Sequence, residues 1–209
     1  MVLNLCNRIP EICVINSFIG GFMFNKIFTV LVVVIGTAVF VLADEPADKK
    51  AKAVAMADEI ISMRSNLAKT FIKPDTEITE ETFKKVCGAV GKRVKEITEK
   101  EGVKIRHAAT KYRNPLNAAT PEEAEALAQF SKDKKLKETA DTVEKEGKKY
   151  YRYTKPIFVE EACLACHGAK DKRPKFIIEK YSDDKAYDFK VGELRGVISV
   201  MIPIEGGEK

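Results

Sequence analysis

The sequence predicts an α+β fold, with long helices first and an antiparallel sheet after them. Three observations carry this. Apolar residues recur at helical spacing from residue 47 to about residue 100, and extended runs rich in β-branched and aromatic residues fill much of the rest. No internal repeat and no low-complexity domain interrupts that order.

The N-terminal portion stands apart from the fold. Residues 23 to 46 run MFNKIFTVLVVVIGTAVFVLADEP, with Lys26 as a positive start, Ile27 to Leu42 as an apolar run, and Ala43 as a small residue before Asp44. The run is shorter than the roughly 20 residues that a spanning helix needs. A signal peptide over 23–43, cleaved after Ala43, is therefore expected, with membrane association only if the segment stays uncleaved. Met23 is where such a signal starts, so residues 1–22 are expected to be translated upstream sequence. One domain remains, residues 44–209, and it is expected in the periplasm.

The chain has 209 residues, a net charge of +5 and no tryptophan. High charge of both signs describes a solvated globular surface, and no element points to nucleic acid. Five cysteines fall to three after cleavage, namely Cys87, Cys163 and Cys166. That is too few for a disulfide scaffold in an exported chain.

The elements follow in order. A first helix spans Ala47 to about Phe71, with Val54, Ala57, Ile60, Ile61, Leu67, Ala68 and Phe71 on its apolar face. KPDTE breaks it. Thr79 is a plausible N-cap for a second helix that runs to Lys100 and stops at Gly102. Its stripe is Phe83, Val86, Cys87, Val90, Val94 and Ile97. GVKIRHAAT reads as a strand. KYRNPLNAATPEEAEAL is a loop entering a helix, in which Thr120, Pro121 and Glu123 serve as N-cap, first residue and capping-box partner. The lysine-rich stretch from Lys132 to Lys149 is expected to be a solvated helix and turn. KYYRYTKPIFV and LRGVISVMIPI complete the strands.

Between those last two strands lies EEACLACHGAKDKRP, in which Cys163, Cys166 and His167 have the spacing of c-type haem attachment. Two thiols three positions apart can form thioethers with the porphyrin vinyl groups, and the next residue can place its imidazole under the iron. A zinc site wants four ligands, and only Cys87 and His107 are left to complete one. A thioredoxin-like pair belongs early in a strand–helix–strand unit, which is absent here. One covalent haem c is therefore expected, with Cys163 and Cys166 as thioether carriers and His167 as proximal ligand.

The chain also resembles a family, the mono-haem c-type proteins with a PAS-like fold and His/Cys haem ligation. The matching stretches are FKKVCGAV, KYRNPLNAATPEEAEAL, CLACHG and DKAYDFKVGELRGVISVMIPI, which together cover nearly all of the mature chain. The resemblance implies a PAS-like antiparallel sheet and matches Cys87 to the distal thiolate. His107, in RHAATKYRNP, stands where a non-ligating residue is expected, so a second candidate lies close by.

On the residues alone, Cys87, His107, Met56, Met63 and Met201 compete for the sixth position. The methionines read as packing. Gly88 and Gly91 flank Cys87, and each costs roughly 1 kcal/mol in a helix interior. That cost is tolerable where a bare helix surface lets a porphyrin approach, which favours Cys87. Arg106, Arg113 and Arg195 are candidates to pair with haem propionates, because guanidinium binds carboxylate bidentately.

Imidazole and thiolate together leave no open position on the iron. A low-potential one-electron carrier is expected rather than an enzyme. The rival is a redox or diatomic-gas sensor in which Cys87 is released and a partner protein receives the signal. The carrier is favoured on the expectation that a sensor would have an output element after Lys209. Lys170, Lys172, Arg173 and Lys175 follow the motif and are expected to face an acidic redox partner.

Overall fold

The computed structural model describes residues 45–74 and 77–204. The expected upstream segment and signal peptide, residues 1–43, lie outside the described residues. Among the described residues no helix is long and apolar enough to cross a membrane.

Helix α1 (Glu45–Phe71) is 27 residues long and buries Ala53, Met56, Ala57 and Ile60 along one face. A second helical run has three parts: α2 (Glu80–Phe83), a π-helical turn (Lys84–Gly88) and α3 (Ala89–Glu101). Thr79 caps it as expected, in a capping box with Thr82. Gly102, at φ 63°, ends it in the left-handed region where glycine carries no Cβ penalty. The π turn is absent from the sequence pattern, and it carries Cys87.

Strand β1 (Lys104–Ala108) and helix α4 (Pro121–Lys132) follow, and the Thr120–Glu123 capping box is present. Then come β2 (Thr139–Lys145), β3 (Lys148–Phe158), the short helices α5 (Leu164–His167) and α6 (Lys175–Lys180), and β4 (Leu194–Pro203). The four strands form one antiparallel sheet in the order β1-β4-β3-β2. This is the α+β architecture expected.

Both faces of the sheet are covered. Ile60, Val90 and Ile97 from α1 and α3 pack on Tyr153, Ile198 and Val200. On the opposite face, Leu127 and Phe130 of α4 pack on Ala108 and Val197. Strand β4 is therefore buried on both sides, which is why GVISVMI is a continuous apolar run rather than an alternating one. Tyr150 and Tyr153 are buried in the sheet, and Tyr153 donates its hydroxyl to Glu138 at 2.8 Å.

One expectation is corrected. The stretch after Lys132 is not helical. It forms strand β2 and a tight hairpin into β3, turning at Glu146 (φ 56°) and Gly147 (φ 73°). Two consecutive residues at positive φ are the hairpin geometry whose twist suits antiparallel strands. Arg152 clamps the hairpin through two bonds to Asp141, at 2.9 and 2.5 Å.

Candidate haem site

A cavity of about 370 Å³ opens between α1, the second helical run and the β1/β4 side of the sheet. Ile60, Val90, Val94, Ile105 and Ile198 form its apolar wall. Into it face Cys87, from the π turn, and His167, from the last residue of α5. The extra residue of a π turn swells the helix and re-aims the side chains around it.

His167 is held in one tautomer. Its Nδ1 lies 2.7 Å from the Ala186 carbonyl oxygen, which can only accept, so Nδ1 carries the proton and Nε2 keeps its lone pair. Burial, followed by the charges of Arg195 and Arg113, holds the ring well below the ordinary histidine range and hence neutral. A neutral imidazole with its far nitrogen anchored on a carbonyl is the usual arrangement of a metal-ligating histidine.

The anchor is itself braced. Arg113 donates through Nε to Asp184 Oδ2 at 3.1 Å and through Nη2 to the Cys166 carbonyl at 2.5 Å. Arg173 Nη1 reaches the same Asp184 oxygen at 2.6 Å, while Asp184 Oδ1 accepts the Ala186 N–H at 2.8 Å. The side chains of Arg113, Arg173 and Asp184 are 8%, 7% and 1% exposed, so the ion pairs are shielded from water. This network ties the CxxCH backbone to the residue that orients His167.

Cys163 and Cys166 are half-buried on the short turn that includes α5, and Cys163 packs with Val159, Ala186 and Phe189. Burial raises both thiols, Cys166 to about 11, so each is protonated at neutral pH.

His107 also lines the cavity. Burial and the charges of Arg64 and Arg195 hold it neutral, and its Nε2 is buried without a hydrogen-bond partner. The ring sits over Gly196, where a Cβ would stand 2.6 Å from Nε2 and 2.6 Å from the Ala108 carbonyl. Only glycine fits there. Met56 and Met201 are buried core residues, and no methionine lines the cavity.

Arg106, Arg113 and Arg195 all line the cavity. Arg106 donates to the Ala118 carbonyl at 2.6 Å and stands 3.2 Å from Glu123, and Arg113 is committed as described. Arg195 donates to the Lys111 carbonyl at 3.1 Å and lies over the Phe189 ring. Burial and the like charges of Arg64 and Arg113 push Arg195 down to about 9.

Two residues of the site carry no motif in the sequence, Arg64 and Asp184. Arg64 was detectable as a cation at i+4 from Ile60 within an apolar stripe. Asp184 sits in an ordinary polar turn that announces nothing.

The residues present fit a haem. An oriented imidazole, a cysteine and four arginines meet around one partly apolar cavity, and the thiol pair lies on the short turn that carries that imidazole. At Gly91 an added Cβ would find no atom within 4 Å, which marks room beside the helix. Among the described residues no cluster of three or more His, Cys, Asp or Glu is placed to hold a bare metal ion.

The Tll0287-like family model matches residues 43–203. The chain belongs to the Tll0287-like family. The crystal structure of the cyanobacterial heme-protein Tll0287 is similar to this chain, with 42% identity and a TM-score of 0.66. The similarity covers 78% of this chain and 98% of that one. Among curated proteins none matches.

Of the four cations after the motif, Lys170, Lys172 and Lys175 are exposed and Arg173 is not. Lys170 lies over the Tyr187 ring, and Lys175 stands 3.6 Å from Glu179.

Proposed function

We propose that this chain is a periplasmic mono-haem c-type cytochrome that carries single electrons at low potential and is not an enzyme. The observation that carries this is the pairing of Cys87 and an oriented His167 on one cavity beside the CxxCH turn. Membership of a family that includes a haem protein supports it.

In this proposal Cys163 and Cys166 would hold the haem covalently, and His167 and Cys87 would ligate its iron. When bound, the haem supplies a one-electron Fe(III)/Fe(II) couple. Cys87 donates as a thiolate, which favours the ferric state and lowers the potential. Ile60, Val90 and Ile198 exclude water from one part of the wall, and the Arg113–Asp184 network fixes His167. Lys170, Lys172 and Lys175 provide a positive surface for an acidic redox partner. Its association rate should then fall steeply with salt, and a rate flat to physiological ionic strength would argue against that partner.

Two measurements test the proposal. The haem should remain with the polypeptide through acid-acetone extraction, and its loss would rule out thioether attachment. The ferric protein should be low-spin with a thiolate charge-transfer band. Cys87→Ser should abolish that band and raise the midpoint potential. A variant with the wild-type spectrum and potential would remove Cys87 from the iron and make His107 the residue to test.

One observation favours a sensing role as the second reading. Cys87 sits on a π turn, a local irregularity that is frequent at functional sites. In that case carbon monoxide should bind the reduced protein slowly, at the rate at which Cys87 leaves.

A further inference from the structure

We propose that Arg64 and Arg195 form a paired guanidinium cradle for two carboxylates, those of the haem's own propionates. The proposal rests on the haem reading above and names the groups that hold that haem at its acidic edge.

Four arginines line the cavity, and they are not equivalent. Arg106 stands 3.2 Å from Glu123, and Arg113 stands 3.1 Å from Asp184. Among the described residues neither Arg64 nor Arg195 forms an ion pair with a carboxylate. In both, the Nε–H is buried with no hydrogen-bond partner. Arg195 satisfies one N–H on the Lys111 carbonyl and rests a face on Phe189, which leaves the remainder of the fork free.

Two like charges that line one cavity repel; Arg195 is buried and Arg64 half-buried, so both have lost hydration. A protein retains such a pair where an anion completes it, because a buried guanidinium without a counter-charge is strongly disfavoured. Burial and then the charge of Arg64 push Arg195 down to about 9, as two guanidinium groups lining one cavity would. Guanidinium presents two parallel donors that match one carboxylate. Two forks in one cavity match two carboxylates, and a haem carries two. A free small anion offers the same chemistry and is the competing source.

Resonance Raman spectroscopy of the holoprotein distinguishes these sources. Wild type, Arg64→Gln, Arg64→Lys and Arg195→Lys are compared after haem retention through acid-acetone has been confirmed. A wild type that loses its haem overturns the covalent reading at that stage, before any variant is measured. With haem retained, the propionate-bending band should shift in all three variants. The midpoint potential of Arg64→Gln should fall, because a cation that disfavours the ferric charge has gone. Arg64→Lys should keep a potential near wild type yet shift the band, since ammonium cannot pair bidentately. A propionate band unchanged in Arg64→Gln overturns the cradle, even if Arg195→Lys fails to fold. A saturable change in the wild-type spectrum on titration with formate, with that band unchanged, assigns the cradle to a free anion and also overturns the proposal.

Discussion

At the residue scale, replacing Asp184 by alanine leaves Arg113 and Arg173 buried without their shared carboxylate and frees the Ala186 N–H. Breaking a buried pair in this way costs about 3–5 kcal/mol, and chemical denaturation should show a loss of that order. A loss below 1 kcal/mol would mean that the network is solvated in solution. Gly196→Ala is a second case. Its Cβ meets two fixed neighbours, the His107 ring and the Ala108 carbonyl, so overpacking of about 1–3 kcal/mol is expected. His107→Ala in the same chain should recover only part of it, because the carbonyl stays. Cys163, Cys166 and His167 were legible because their relationship is local, two spacers and an adjacent imidazole. Arg64 and Asp184 were not, because each acquires its role from residues far away in sequence. Arg113 was legible as a cation of the site, but its commitment to Asp184 and the Cys166 carbonyl appears only in three dimensions.

At the element scale, the helix boundaries were legible in side-chain chemistry. Thr79 and Thr120 cap, Gly102 stops, and all three act where the pattern places them. Strand β2 was not legible, because it is an edge strand with most side chains in water and so lacks an apolar period. Its only local signal is the Glu146–Gly147 turn, which a high density of lysines disguised as a solvated helix. The π turn was equally hidden, since 3.6-residue periodicity tolerates one inserted residue. Two glycines around it allow a controlled comparison. An added Cβ at Gly88 meets only ordinary contacts at 3.8 Å, and at Gly91 it meets nothing within 4 Å. Alanine at either site should stabilise the helix by about 1 kcal/mol on propensity alone. Gly91 lines the cavity and Gly88 does not. Gly91→Leu should therefore lower the haem-to-protein ratio, measured as pyridine haemochrome, while Gly88→Ala leaves it unchanged. Equal loading in both would show that the space beside Gly91 is not where the porphyrin lies.

At the scale of the whole molecule, the fold class followed from the order of helical and extended runs, whereas the strand order did not. Placing β4 between β1 and β3 depends on pairing residues as distant as Ile105 and Val200, which no local pattern encodes. That arrangement sets the last prediction, because the cavity beside β1 and β4 is lined by both histidines of the chain. His107 and His167 are held well below the ordinary histidine value of about 6.5, chiefly by burial and then by arginine charge. The unfolded chain therefore binds protons that the folded one refuses. Stability rises with pH wherever the unfolded state binds more protons, so the contribution is complete above 6.5 and lost as pH falls below it. Ligation of His167, as proposed, would act in the same direction, since a coordinating nitrogen cannot be protonated. The carboxylates held low by lysine partners, Glu101 and Glu138 among them, begin to lose their contribution only near 4.5 and below. The interval from about pH 7 to about pH 5 thus isolates the imidazoles. Denaturant midpoints should fall steadily across it. His107→Leu should flatten the slope without abolishing it, because His167 still titrates on unfolding. A wild type equally stable at both ends would mean that the two rings are not buried and neutral, and the site built on them would have to be redrawn.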